Sequence, residues 1–210
     1  MRRAGSSGVT SIPGTAGGHF PRISPDGFGG VGLRNPAASP DGRRLYFTEV
    51  MLDGPRYAVR VVNLDSLGGP GRVVATHGAA PAPSPDGRWL AYLSEASGSW
   101  TVVVRSTDLS RDQEWQVSPD ARAGSVVRWS RAGRELYYLA GDSLYAAQVA
   151  AAAGSSFQVV SRRALFAAGR YGGSFDVMPN GDFVMIRRVF GREGATVLHM
   201  IDDLSVALDR

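Results

Sequence analysis

The 210-residue chain contains no cysteine, and no lysine: all 23 of its basic residues are arginine. Without cysteine there are no disulfides and no thiolate metal sites, a condition that fits any compartment. No apolar run approaches the roughly 18 residues needed to span a bilayer. The amino-terminal MRRAGSSGVTSIPGTAGG starts with arginines as a signal peptide does. It lacks the apolar stretch of about 7–15 residues that would make it one. The chain carries no HExxH, no GxSxG, no HRD and no DFG, so the sequence motifs of zinc hydrolysis, nucleophile-elbow hydrolysis and protein phosphorylation are missing. The three histidines, His19, His77 and His199, are far apart and form no ligand spacing. A net charge of +4 does not point to nucleic acid either. The arginines run from Arg2 to Arg210 with acidic residues between them, whereas nucleic-acid binding concentrates charge on one face. Exclusive use of arginine reads as codon bias in a GC-rich genome. Catalytic residues, cofactors, metals, nucleic acid and membrane insertion are accordingly not expected.

What the chain has is punctuation and repetition. It holds 27 glycines and 12 prolines, as many short strands and tight turns require. The turn Ser39-Pro40-Asp41-Gly42 returns as Ser84-Pro85-Asp86-Gly87, then in weaker form as Ser130-Arg131-Ala132-Gly133 and Met178-Pro179-Asn180-Gly181. The steps from 39 to 84, 84 to 130 and 130 to 178 are 45, 46 and 48 residues. A β-rich run follows each time: RRLYFTE, RWLAYLSE, RELYYLAG and DFVMIRR. In the turn, proline presets φ, aspartate tolerates the bridge region, glycine supplies the left-handed residue, and the serine hydroxyl caps a turn amide. Recurrence at one place in each repeat assigns Asp41 and Asp86 to the turn rather than to catalysis or metal binding.

Each unit then carries alternating apolar residues on both faces, as a strand sandwiched between neighbouring sheets needs. In 88–94, Trp89, Ala91 and Leu93 oppose Leu90 and Tyr92. Third strands are expected at 57–64, 100–107, 143–149 and 196–201, fourth strands at 71–76, 113–118 and 157–166, and a first strand before each turn, such as 126–130. Residues 150–153 are expected to form a loop. A period of about 40–50 residues with four strands per unit is that of a β-propeller blade. The fold class is all-β: a propeller of about four four-stranded antiparallel blades, an incomplete ring.

The runs APSPDGRWLAYLSEASGSWTVVVR and RWSRAGRELYYLAGDSLYAAQV resemble the repeats of TolB-like, WD-repeat-like bacterial propellers, and FDVMPNGDFVMIRR with ATVLHMIDDL resembles their carboxyl end. The resemblance covers roughly residues 35–203. It implies a rigid, non-catalytic scaffold for protein interaction or ligand sensing. It also leaves two other settings open: the regulatory propeller behind a bacterial serine/threonine kinase domain, or the gating propeller of a serine peptidase. Such proteins are often extracytoplasmic and usually close a ring of about six blades. With four repeats, this sequence is expected to need missing blades, self-association or an amino-terminal latch to close. The expected blades are 36–78, 79–121, 122–168 and 169–208, with a partial blade at 19–35 opened by a crowded Ser24-Pro25-Asp26-Gly27, and disorder over 1–18.

Gly27-Phe28-Gly29-Gly30-Val31-Gly32 matches GxGxxG by letter, but the preceding turn and Leu33-Arg34-Asn35-Pro36 argue against a phosphate loop. The four tryptophans, Trp89, Trp100, Trp115 and Trp129, are expected to pack between blades. In a propeller, the fourth-to-first and second-to-third loops gather on one face. Here they hold His77, Arg122, Arg170 and Tyr171, with 51–56, 95–99 and 189–194 beside them. These are the candidate binding residues, and their arginines favour an acidic protein or peptide partner.

Overall fold

The computed structural model describes residues 30–52, 54–66, 71–151, 156–188 and 196–201. Within them the fold is a run of meandering antiparallel sheets. The first blade consists of β1 (Gly30–Ala38), β2 (Arg44–Met51), β3 (Tyr57–Asn63) and β4 (Arg72–Thr76). The second is β5 (Gly78–Pro83), β6 (Trp89–Ser94), β7 (Thr101–Ser106) and β8 (Glu114–Gln116). The third is β9 (Val127–Trp129), β10 (Glu135–Ala140), β11 (Ser143–Ala151) and β12 (Phe157–Ala167). The fourth has three described strands, β13 (Tyr171–Val177), β14 (Phe183–Arg188) and β15 (Thr196–Ile201). Strands pair in chain order, and β5 contacts β1, β2 and β3 while β9 contacts β5, β6 and β13, so the blades pack face to face in sequence.

Several expected boundaries move. The inner strand of the first blade begins at Gly30 rather than at 36, because Gly30–Arg34 already pair with Thr48–Met51. Gly30 and Gly32 of the letter match to GxGxxG therefore lie in a strand. Residues 150 and 151 are strand as well, since Ala150 and Ala151 pair with Gln158 and Phe157. Residues 1–29, with His19, the expected disordered segment and most of the expected partial blade, lie outside the described residues.

The repeated turn works through its serine. The hydroxyl oxygens of Ser39, Ser84 and Ser130 accept the backbone N–H of Arg44, Trp89 and Glu135, at 2.9, 2.9 and 3.0 Å. In the first two turns the serine O–H also donates to Asp41 and Asp86, at 2.5 and 2.6 Å. The third turn has alanine in place of aspartate and keeps its shape. Glycine is required in all three, at φ values of +70°, +72° and +68°. The fourth turn differs: Met178 N–H reaches the carbonyl of Asp182 at 2.7 Å, a return one residue shorter than Ser39 to Arg44. Phe183 consequently takes the place that Leu45, Leu90 and Leu136 hold opposite the inner strands.

Strict alternation then directs each blade's two faces to different neighbours. Leu90, Tyr92 and Val103 pack with Tyr46, Val59, Val74 and Ala75 of the first blade. Trp89, Ala91, Leu93, Val102 and Val104 instead join the large core that runs through the second, third and fourth blades. The approach is close enough that a Cβ on Gly78 would stand 3.0 Å from Val59 and 3.2 Å from Tyr92, so a side chain there would push those neighbours aside by a few tenths of an ångström.

Arginines fasten the blades to one another. Arg105 donates to Val74 O at 2.5 Å, Arg72 to Leu109 O at 2.8 Å, and Arg162 to Val117 O at 2.5 Å. Each bond crosses a blade junction and satisfies a backbone carbonyl. A guanidinium suits this because it offers several N–H donors from a planar, weakly hydrated group.

Candidate rim surface

Because neighbouring strands are antiparallel, the loops β2–β3, β4–β5, β6–β7, β8–β9, β10–β11 and β12–β13 emerge on one face, opposite the serine turns. On that face the four nominated residues have different roles. His77 is exposed between β4 and β5 with φ +59°, and its carbonyl accepts Glu95 N–H at 2.9 Å. It is the turn residue that carries the chain from the first blade to the second.

Arg122 is not a free cation. Its guanidinium donates to Gly141 O at 2.8 and 3.1 Å and to Tyr171 O at 3.3 Å, with Asp142 3.7 Å away. The side chain thus clamps the β10–β11 turn of the third blade to the entry of the fourth. Tyr171 is half-buried at the start of β13 and packs against the main core while its backbone takes part in that clamp. Arg170 beside it is exposed and forms no hydrogen bond or ion pair among the described residues. The 189–194 loop falls outside the described residues, and His199 is placed on β15.

A patch that sequence reasoning only partly reached lies across the first two blades. Leu52 is 74% exposed at the tip of the β2–β3 loop. Arg56 lies over the Tyr57 ring at 5.5 Å, and Tyr57 meets Trp100 of the second blade with centroids 5.6 Å apart. Tyr57 and Trp100 are both half-buried. Trp100 packs against the main core and against the neighbouring blade, as expected, but does so half-buried at the loop face, whereas Trp89 and Trp129 are buried. The available signal was position: Tyr57 opens β3 and Trp100 immediately precedes β7, at the exits of the β2–β3 and β6–β7 loops where a strand begins at the solvent edge.

Along the axis, a cavity of about 330 Å³ is lined by Asn35, Pro36, Ala80, Pro81, Arg128 and Trp129. Register shifts in β1 and β5, with φ of +50° at Asn35 and +52° at Ala80, open the inner strands there. Arg128 pairs with Asp176 at 3.1 Å across the third and fourth blades. No group of three or more metal-ligating side chains occurs among the described residues.

The blade order, the meander and the two loop faces decide the architecture. The fold is a β-propeller. It is similar to TolB from Acinetobacter baumannii, with a TM-score of 0.60 and 17% identity over 92% of this chain and 46% of that one. It is also similar to a TolB-type protein from Agrobacterium tumefaciens, with a TM-score of 0.57 and 18% identity over 88% of this chain and 70% of that one. A puromycin hydrolase matches over 90% of this chain and 29% of its own, with a TM-score of 0.55 and 15% identity. The chain therefore spans about half the length of the first of these structures. No family model matches the sequence, and no curated protein matches it. The likenesses, all below 20% identity, establish the fold alone.

Proposed function

We propose that this propeller is a non-catalytic interaction module that docks an acidic protein segment on the rim of its first two blades. The observation that carries the reading is the cluster of exposed Leu52 and Arg56 with half-buried Tyr57 and Trp100 at the rim. Arginine, tyrosine and tryptophan are the residues that dominate binding energy when an interface desolvates them. A rigid tryptophan and tyrosine lose little entropy on binding, and the guanidinium fits a carboxylate through two parallel bonds. Arg170 adds an exposed positive charge on the same face. The mechanism is display: blades held by arginine bonds and apolar cores fix the loops, and no covalent step is required. Acidic character follows from the two exposed arginines. The kinase-linked and peptidase-linked settings rest on the sequence resemblance and on a shared fold.

Photo-crosslinking tests the assignment. A benzoyl-phenylalanine replacing Arg56 should give discrete protein adducts in the host cell, and these should disappear when Trp100→Ala is added. The same group replacing Arg131, exposed on the turn face, should give none of them. Identical adducts at both positions, or none at 56, would refute a rim docking site.

A further inference from the structure

The turn face, on the opposite side of the molecule, holds a pocket of about 550 Å³ between the second and third blades. Its walls are Trp89, Trp129 and Phe157, and its mouth carries Arg88, Arg134 and Asp86. Phe157 lies 5.3 Å from the ring of Trp89 at a tilt of 58° and 6.3 Å from that of Trp129 at 88°, so the three rings line an angular aromatic cleft. The size is in the range of small-molecule sites, roughly 300–1,000 Å³, which are likewise apolar with a few placed polar groups.

Two of the polar groups here, Trp89 Nε1 and the Arg134 guanidinium, are donors without an acceptor among the described residues. Trp129 Nε1 is satisfied by Ala82 O at 2.9 Å, but Trp89 Nε1 is buried with no hydrogen-bond partner. A buried donor without an acceptor is costly, and a ligand atom that accepts from it recovers that cost. Arg134 is exposed and forms no side-chain hydrogen bond or ion pair among the described residues. The single carboxylate is already engaged: Asp86 accepts from the Ser84 hydroxyl at 2.6 Å, from Arg88 N–H at 3.1 Å and from Arg88 Nε at 2.7 Å. With Asp86 and Arg88 neutralising each other, the mouth keeps the net positive charge of Arg134. A ligand that fits must have a planar body narrow enough to enter between the rings, must carry an acceptor, and should be an anion.

We propose that this pocket is a binding site for a small aromatic carboxylate, independent of the rim surface and of any partner docked there. The rings would hold the planar body, Arg134 the carboxylate, and Trp89 Nε1 an acceptor atom once a small rotation of the indole admits it. Stacking between aromatic groups and a charge-assisted bond act together only for a molecule that has both parts.

The test uses the whole chain and 2-naphthoate as probe. Titration followed by the indole N–H signals in ¹H–¹⁵N NMR should move the Trp89 resonance in a saturable way. Arg134→Gln, on an exposed side chain that the fold does not need, should weaken binding about tenfold. 2-Naphthylmethylamine, with the same ring and the opposite charge, should bind at least about tenfold more weakly than the carboxylate. A Trp89 signal that stays in place up to millimolar probe would overturn the proposal. So would equal binding of the amine, or an affinity unchanged by Arg134→Gln.

Discussion

The junction between the first and second blades and that between the second and third differ in kind. At the first junction Tyr46, Val59, Leu90, Tyr92 and Val103 close over one another. A buried polar group sits at its outer edge, where Arg105 reaches Val74 O and Tyr92 O–H donates to Glu114. At the second junction, three tryptophans and Phe157 meet at tilted and edge-on angles, 5.3–6.3 Å apart. Large flat rings at such angles do not tile a surface as branched side chains do, and a pocket remains beside them. The difference teaches that one repeat can yield either a close-packed joint of branched and tyrosine side chains or an aromatic joint with a ligand-sized opening beside it.

Core truncation should give the largest effects. Trp129→Ala removes an aromatic wall and the bond to Ala82 O, and is expected to cost about 4 kcal/mol. Leu90→Ala, at a fully buried position of the close-packed joint, should cost about 3 kcal/mol. Urea unfolding with unchanged m-values would measure both. A larger loss for Leu90→Ala would show that the aromatic junction contributes less than its size implies.

Removing the arginine fastenings should come next. Arg105→Ala is expected to cost about 2 kcal/mol, because its guanidinium is buried and leaves both Val74 O and the Glu114 carboxylate short of a partner. Arg162→Ala, at an exposed residue, should cost about 1 kcal/mol. Equal losses would mean that burial does not set the strength of these bonds.

Alkaline pH should separate the junctions most finely. Burial pushes the Tyr92 hydroxyl well above the usual tyrosine range, and its bond to the Glu114 carboxylate pushes it further. Tyr138, at the second junction, is raised to about 12, chiefly by burial. Both are held neutral in the fold but ionise near pH 10 when unfolded. Their contribution is therefore complete below about pH 10 and is lost as the pH climbs towards the folded values. Comparing urea midpoints at pH 8 and above pH 12, where Tyr138 ionises in the fold and Tyr92 does not, Tyr92→Phe should reduce the alkaline loss more than Tyr138→Phe. The reverse order would place the stronger restraint at the aromatic junction.

Much of this was legible in the sequence because the fold is written locally. A turn such as Ser84-Pro85-Asp86-Gly87 needs only its own residues, and it holds its aspartate mainly against desolvation, through bonds to Ser84 and Arg88 that keep the carboxyl below its usual range. The expected strand at 196–201 agrees with β15, and the start of the expected fourth strand at 157 agrees with β12. Where the pattern slipped, the cause was also local. The Asn35-Pro36 bulge hid the length of β1, and an alanine run hid the end of β11.

The candidate site was far less legible, and Arg122 shows why. In one dimension it is a loop cation like Arg170. In three, Gly141 O and Tyr171 O stand close enough to engage it, while Arg170 meets nothing among the described residues. The same holds for the arginines as a class, which composition could assign only to codon usage. Sequence by itself determined the blade repeat, the turns and the two faces of every strand, since these depend on short-range sterics and a period of two. Only the tertiary structure decided which arginines fasten blades, which aromatic residues reach the surface and where a pocket remains. Those outcomes depend on distances between residues tens of positions apart, set by how whole sheets pack.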